Sequence, residues 1–163
     1  PNTKDFIEMA KNINFLSPLN YKLVVGKIPN IEYFCTSVSV PAISIEGDNP
    51  TYSTPQREIR VYSHKLNFSP LSITTIIDEN LENYKEIYDW IQDIVFSDDS
   101  KPLEKSSDIT LLIMNSKNNT IKKMRFTNAF PVAIGPLDFT SINESVEYVT
   151  STVEFEFTDM ILE

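Results

Sequence analysis

The spacing of apolar residues changes once, abruptly, within residues 66–96. From Leu66 to Ile77 the chain alternates, with Leu71, Ile73 and Ile77 on one face and Ser72 and Thr74 opposite, which is the period of a strand. Beyond it Leu81, Tyr84, Ile87, Tyr88, Ile91, Ile94 and Val95 recur at spacings of three and four, forming one stripe at helical period with Trp90 at its edge. Asp78 or Asn80 can accept hydrogen bonds from first-turn amides, and Glu79 and Glu82 set negative charge beside the positive end of the helix dipole. A helix over about 79–96 is therefore expected, packing through Tyr84, Ile87, Tyr88, Trp90 and Ile91.

The rest of the chain reads mostly as strands. Phe6, Ile7, Ala10 and Ile13 give residues 4–14 a short helical stripe, closed by the Ser17-Pro18 step. Tyr21 to Val25 and Ile31 to Val40 read as a hairpin about the Gly26–Asn30 turn. Residues 41–56 contain three prolines and a Gly-Asp-Asn cluster and read as a long irregular loop. Ile43, Ile45 and Tyr52 are apolar positions that a solvated loop has little reason to carry, so they and the adjoining Arg57 are expected at a partner surface. Arg57 to Tyr62 reads as a strand, and Ser97 to Asp108 as a polar loop. Ile109 to Met114 and Thr120 to Phe126 form a second hairpin around Asn115–Asn119. Val153, Phe155 and Phe157 alternate with Thr152, Glu154, Glu156 and Thr158, a strand with one buried and one wet face. Val146 and Tyr148 have the opposite parity, which calls for a bulge near 149–151 or a strand that passes between two packed sheets. The fold class expected is α+β, a mainly antiparallel β-sandwich or partial barrel with one main helix.

Composition narrows the functional classes. A chain of 163 residues, 41% hydrophobic, fits one domain over 1–163 and can bury roughly 70% of its unfolded surface without metal or disulfide. Its net charge of −9 disfavours a surface that grips phosphates, and so sequence-specific nucleic-acid binding. Cys35 is the only cysteine, no Cys/His cluster has zinc-ligand spacing, and synthesis in a reducing cytoplasm fits. No apolar run approaches the ~20 residues of a membrane helix, and the first residues lack a signal-peptide core. Neither cofactor nor metal is expected.

Candidate chemistry is sparse. Glu154 and Glu156 project from one strand face roughly 7 Å apart, a separation that suits a glycosidase pair. Their neighbours Thr152 and Thr158 indicate instead a solvated face, where no apolar pocket raises a carboxyl pKa. His64 stands in a turn without a partner motif, Cys35 in an apolar strand, and Gly135-Pro136 reads as a turn rather than a phosphate cradle. The sequons at Asn118 and Asn143 require a secretory route that nothing in the chain advertises. The enzymatic reading is therefore set aside. A small-ligand-binding β-barrel stays open as an alternative.

One order of motifs carries a resemblance. A strand ending in Asp78, a helix holding Asp89-Trp90, a Phe126-Thr127-x-x-x-Pro131 segment and a final alternating strand together resemble the tail tube proteins of contractile-tailed bacteriophages. Ser69-Pro70-Leu71, Asn83-Tyr84 and Asp89-Trp90 resemble the tube initiator of that family, whereas the chain length resembles the main tube subunit.

The resemblance implies a structural virion protein of the tail, made in the bacterial host cytoplasm. It implies six-membered rings that complete an inner β-barrel and stack into a hollow tube. The partners implied are further copies of itself, the tail sheath, baseplate hub proteins, and a tape-measure protein in the lumen. Under this reading residues 41–56 reach a neighbouring subunit, and Glu147, Glu154 and Glu156 line a wall past which DNA moves without adhering.

Overall fold

The computed structural model describes residues 16, 18–46, 51–60, 65–96, 102–141 and 148–163. Chain order within these is β1 (Tyr21–Val25), α1 (Ile31–Phe34), β2 (Cys35–Ser39), β3 (Ile43–Glu46), β4 (Thr51–Thr54), β5 (Arg57–Arg60), β6 (Lys65–Phe68), β7 (Leu71–Ile76) and α2 (Glu82–Phe96). A 3₁₀ turn at Pro102–Lys105 leads into β8 (Ser107–Met114), β9 (Thr120–Ile134), β10 (Thr150–Glu156) and β11 (Asp159–Leu162). Every strand pair is antiparallel. The main sheet runs β1-β8-β9-β10-β7-β2 with β11 also on β9, while β3-β6 and β4-β5 are separate ribbons. The expected class, antiparallel β with one main helix, is what forms.

β9 organises this architecture. Its 15 residues pair with β8 and β11 along the first half and with β10 along the second. Two irregularities let one strand serve both. Ser107 faces Ala129 and Ile109 faces Phe126, so β9 carries one residue more than β8 there, and Asn128 takes φ 52 while its N–H donates to Asp108 Oδ1 at 3.2 Å. Further on, Glu154 faces Ala133 and Phe155 faces Pro131, which leaves Val132 as a second extra residue. Each extra residue turns the following side chains to the other face. Phe126 and Ala129 are thus both buried although three positions apart.

Both halves meet in one core. It contains Leu23 and Val25 of β1, Ile109 and Leu111 of β8, Phe126 of β9, Val153 and Phe155 of β10, Leu71 and Ile73 of β7, and Ile87 and Trp90 of α2. Phe126 and Phe157 meet edge to face with ring centroids 5.0 Å apart, and Trp90 lies 6.0 Å from Phe155. Trp90 Nε1 donates to the Lys105 carbonyl at 2.8 Å, so its one polar atom is satisfied where it is buried.

Several elements differ from the sequence expectation. Ile31 to Phe34 is a helical turn, and β2 pairs with β7 rather than β1, so residues 21–40 are not a hairpin. The expected irregular loop 41–56 contains the strands β3 and β4. Residues 66–77 divide at Ser69-Pro70 into β6, which pairs with β3, and β7, which enters the main sheet. The polar stretch 97–108 holds the 3₁₀ turn and the start of β8, and β9 runs eight residues beyond Phe126. β10 pairs with β7 in unbroken register from Thr150 to Phe155, so the sheet-to-sheet exchange belongs to β9 and no bulge sits at 150–151. The N-terminal segment 4–14 lies outside the described residues.

The helix starts at Glu82 because Leu81 takes φ 58 and interrupts it. Asp78 Oδ1 accepts the Asn83 N–H, Asn83 Oδ1 accepts the Asp78 N–H, each at 3.3 Å, and Asn83 Nδ2 donates to the Ile76 carbonyl at 2.7 Å. Buried Asn83 therefore fastens the helix to the end of β7. Asn83→Leu is expected to lower unfolding stability by about 1–3 kcal/mol, because it orphans the Ile76 carbonyl and the Asp78 amide. Urea denaturation checks this, with Ile87→Val, expected at about 0.5–1.5 kcal/mol, as the packing reference.

Candidate functional site

The exposed face of the main sheet is built from small hydroxyls. Along β10 Ser151, Val153 and Phe155 are buried while Thr150, Thr152, Glu154 and Glu156 face outward. Register extends this face across neighbouring strands. One row reads Ser39, Ser72, Glu154, Ala133 and the next Ser37, Thr74, Thr152. Thr74 and Thr152 hydroxyls lie 3.4 Å apart, and Thr36 Oγ1 donates to the Thr74 carbonyl at 3.1 Å. The result is a flat polar surface, with Glu154 and Glu156 as its outward charges on β10. Glu154 thus stands on a wet face among hydroxyls, while Glu156, also exposed, lies opposite Phe130 and borders a hollow lined by Phe68, Ser69, Pro70 and Phe157. Glu147 lies outside the described residues.

Two strand edges border this surface. β2 ends the sheet order, so its outer edge has no strand partner among the described residues. On the opposite side β8 accompanies β9 only as far as Ala129, and Phe130–Ile134 pair with β10 alone. Pro131, which cannot donate to a ladder, sits in this one-sided stretch next to the Val132 bulge.

The β3-β6 ribbon presents a third surface. Ile43 faces Phe68 and Ile45 faces Leu66, so the four share one side of the ribbon. Ile43, Ile45 and Leu66 are 56%, 59% and 55% exposed, whereas Phe68 turns inward with its ring 5.4 Å from that of Phe157. The ribbon is held to the sheet corner by Ser69, whose Oγ accepts the Ala42 N–H at 2.7 Å and whose own N–H reaches the Ala42 carbonyl at 3.0 Å. An apolar patch held in fixed geometry is a surface prepared for burial. Arg57 is exposed at the β4-β5 turn, where Thr54 Oγ1 donates to its carbonyl at 2.8 Å. Tyr52 is in β4 opposite Ile59, and its side chain lies outside the described set.

On α2, Ile87 and Trp90 are buried, Tyr84 and Ile91 half-buried, and Tyr88 is exposed with its hydroxyl accepting from Gln92 Nε2 at 2.9 Å. Trp90 lies on the buried face itself, not at its edge. Lys27 Nζ stands 5.1 Å from the Trp90 ring and shares the Lys105 carbonyl with it. Cys35 is half-buried beside Tyr21. Burial pushes its thiol above the ordinary range, opposed by hydrogen bonds from the Tyr21 side chain and the local backbone. His64 lies outside the described residues. Among the described residues no group of three or more His, Cys, Asp and Glu side chains is arranged to hold a metal ion. Sequence reasoning located the outward carboxylates of β10 but missed the open edges, since an edge is defined only once every pairing is known.

The sequence profile of the phage tail tube protein family matches residues 9–163. No curated protein matches by sequence. Among solved structures, the chain is similar to one from the sheath/tube terminator of an extracellular contractile injection system, PVC, in its extended state, at TM-score 0.70 and 16% identity, covering 93% of this chain and 99% of that one. It is similar also to a chain of the PVC sheath-tube complex in its extended state, at TM-score 0.67 and 16% identity over 100% and 98%. A third is a chain of the anti-feeding prophage tube-terminating cap, at TM-score 0.69 and 14% identity over 94% and 96%.

Because desolvation holds the Cys35 proton, iodoacetamide at about pH 8 is expected to alkylate it more slowly than a free thiol, with the rate still rising at more alkaline pH. Tyr21→Phe removes a stabiliser of the thiolate and should slow the reaction further at the same pH. Mass spectrometry of timed quenches reads both effects.

Proposed function

Because the chain belongs to the phage tail tube protein family, we propose that its subunits close into rings, six-membered as in the proteins it resembles, and that the rings stack as the inner tube of a contractile tail. The observation that carries this reading is the pair of one-sided edges, β2 and Phe130–Ile134, on opposite borders of one polar sheet face. An exposed strand edge invites pairing with any extended chain, and closure into a barrel removes that exposure. The edge of one copy joined to the opposite edge of the next would run the four strands β2, β7, β10 and β9 around a common bore.

The face turned toward the bore would then be the rows of Ser, Thr and Ala with Glu154 and Glu156. Small hydroxyls leave few places for a passing polymer to lodge, and the carboxylates repel phosphates. DNA and a tape-measure protein would pass such a wall without adhering. The Ile43, Ile45 and Leu66 face of the β3-β6 ribbon would be covered by a neighbouring subunit, each Å² of apolar surface contributing about 25 cal/mol. Sheath and baseplate hub would meet surfaces away from the bore, and the whole chain would act as one structural domain without enzymatic activity.

Electron microscopy of the purified protein across a concentration series, with light scattering for mass, tests the reading. Rings and hollow stacks are expected, and unlimited growth marks a main tube subunit whereas growth that stops at one ring marks an initiator. Ile45→Asp with Leu66→Asp should abolish assembly while changing the far-ultraviolet circular dichroism little, since both side chains are exposed. A species that stays monomeric at every concentration, with or without a baseplate template, would overturn the proposal.

A further inference from the structure

Four of the 14 basic residues are grouped in one stretch. Between Ile109 and Leu137 the sequence carries Lys117, Lys122, Lys123 and Arg125 and no carboxylate, in a chain with 14 basic and 23 acidic residues. All four lie on the distal half of the β8-β9 hairpin. Lys117 is in the turn, where its N–H donates to Asn115 Oδ1, and Lys122 and Lys123 face Ile113 and Leu112 across the ladder. Adjacent strand residues project to opposite sides, so Lys122 and Lys123 put basic groups on both faces of the tip, with Glu163 beside Lys123 as the neighbouring carboxylate. Arg125 is paired with Glu163 at 3.2 Å, but among the described residues Lys117, Lys122 and Lys123 have no ion-pair partner.

Strand registers put carboxylates at the other end. β9 runs away from the tip to Ile134, which faces Val153, and Thr150 in turn faces Ile76, so the close of β7 lies at the Ile134 end. Asn83 fastens the start of α2 to Ile76 there, with Glu79 and Glu82 exposed and Asp78 half-buried beside them. Lys85, one turn along α2, leaves this end net negative. Fourteen strand steps separate the two ends, at most about 45 Å at the usual rise because β9 bends at its extra residues. The subunit is therefore charge-polar along its strands.

We infer that the hairpin tip at Lys117, Lys122 and Lys123 is a docking surface for a second copy of this chain, namely the Glu79 and Glu82 end of a subunit in the next ring. The inference rests on the ring-and-tube reading. Strands that run along a bore deliver their opposite ends to opposite rims. Head-to-tail stacking then sets lysines against carboxylates, whereas head-to-head stacking sets like charge on like, so the same residues give both adhesion and direction. DNA phosphates offer lysines the same sign of charge, but the net charge of −9 opposes that approach.

The test compares ring stacking, read by electron microscopy and sedimentation, at low and high salt. The wild type should form stacks that shorten as salt rises, because exposed pairs are screened within a Debye length of about 10 Å at 0.1 M. K117E/K122E/K123E should lose stacking yet keep single rings, and E79K/E82K should do the same. Mixing the two variants, or combining all five changes in one chain, should restore stacks. Stacking by the lysine variant that equals the wild type in length and salt response would overturn the inference and leave the tube reading intact. Absence of rings from the wild type would overturn both. A gel shift of duplex DNA by the wild type that the lysine variant loses, with stacking unchanged, would also overturn it and assign the tip to phosphates.

Discussion

A single strand required to belong to two sheets governs the rest of this molecule. β9 must show one side to the core where it lies between β8 and β11, and the other where it lies beside β10. Regular alternation forbids that, because period two keeps the same parity buried throughout. The chain resolves the conflict with two inserted residues. Asn128 accepts a left-handed conformation that β-branched neighbours would resist, and Asp108 holds its amide. Val132 takes up the second insertion, beside a proline that has no ladder hydrogen to lose. Everything packed on β9 inherits its bends, including the junction at which Phe126 meets Phe157 and Phe155 meets Trp90.

What could be read from the sequence follows the range of the interaction involved. The alternation of Val153 and Phe155 with Thr152, Glu154 and Glu156 is local, and it located both a buried face and an exposed one. The β8-β9 turn was legible for the same reason, as Asn115 bonds its own backbone through Lys117 and Asn119. The partner of β2 was not legible, since β7 comes to it across four intervening strands of sequence. β3 and β4 were hidden by prolines and a Gly-Asp-Asn cluster that argue against regular structure, although short ribbons tolerate such neighbours at their ends.

The helix shows a subtler failure. Counting only apolar residues placed the stripe one position off, because the buried face includes Asn83, a polar residue satisfied by Ile76 and Asp78. With Asn83 admitted, the spacing Asn83, Ile87, Trp90 places Trp90 on the inner face. Polar residues that close a network behave as core positions, and hydropathy alone does not recognise them. The same logic runs outward at the sheet surface. Hydroxyls there bond one another and the local backbone, as Thr36, Thr74 and Thr152 do, and leave few donors projecting toward whatever lies opposite.

The corner at Ser69 has a mechanical consequence. β3 follows directly from β2, and β6 leads directly into β7, so the two strands of the outer ribbon continue into two strands that are themselves hydrogen-bonded neighbours. Pro41 and Pro70, at the two crossings, each fix one backbone torsion. A force drawing the ribbon away along its length therefore pulls β2 and β7 together from one end, and the load passes in shear to the β7-β10 ladder, whose hydrogen bonds share it at once instead of peeling open one after another. The chain obtains that direction of loading from connectivity alone.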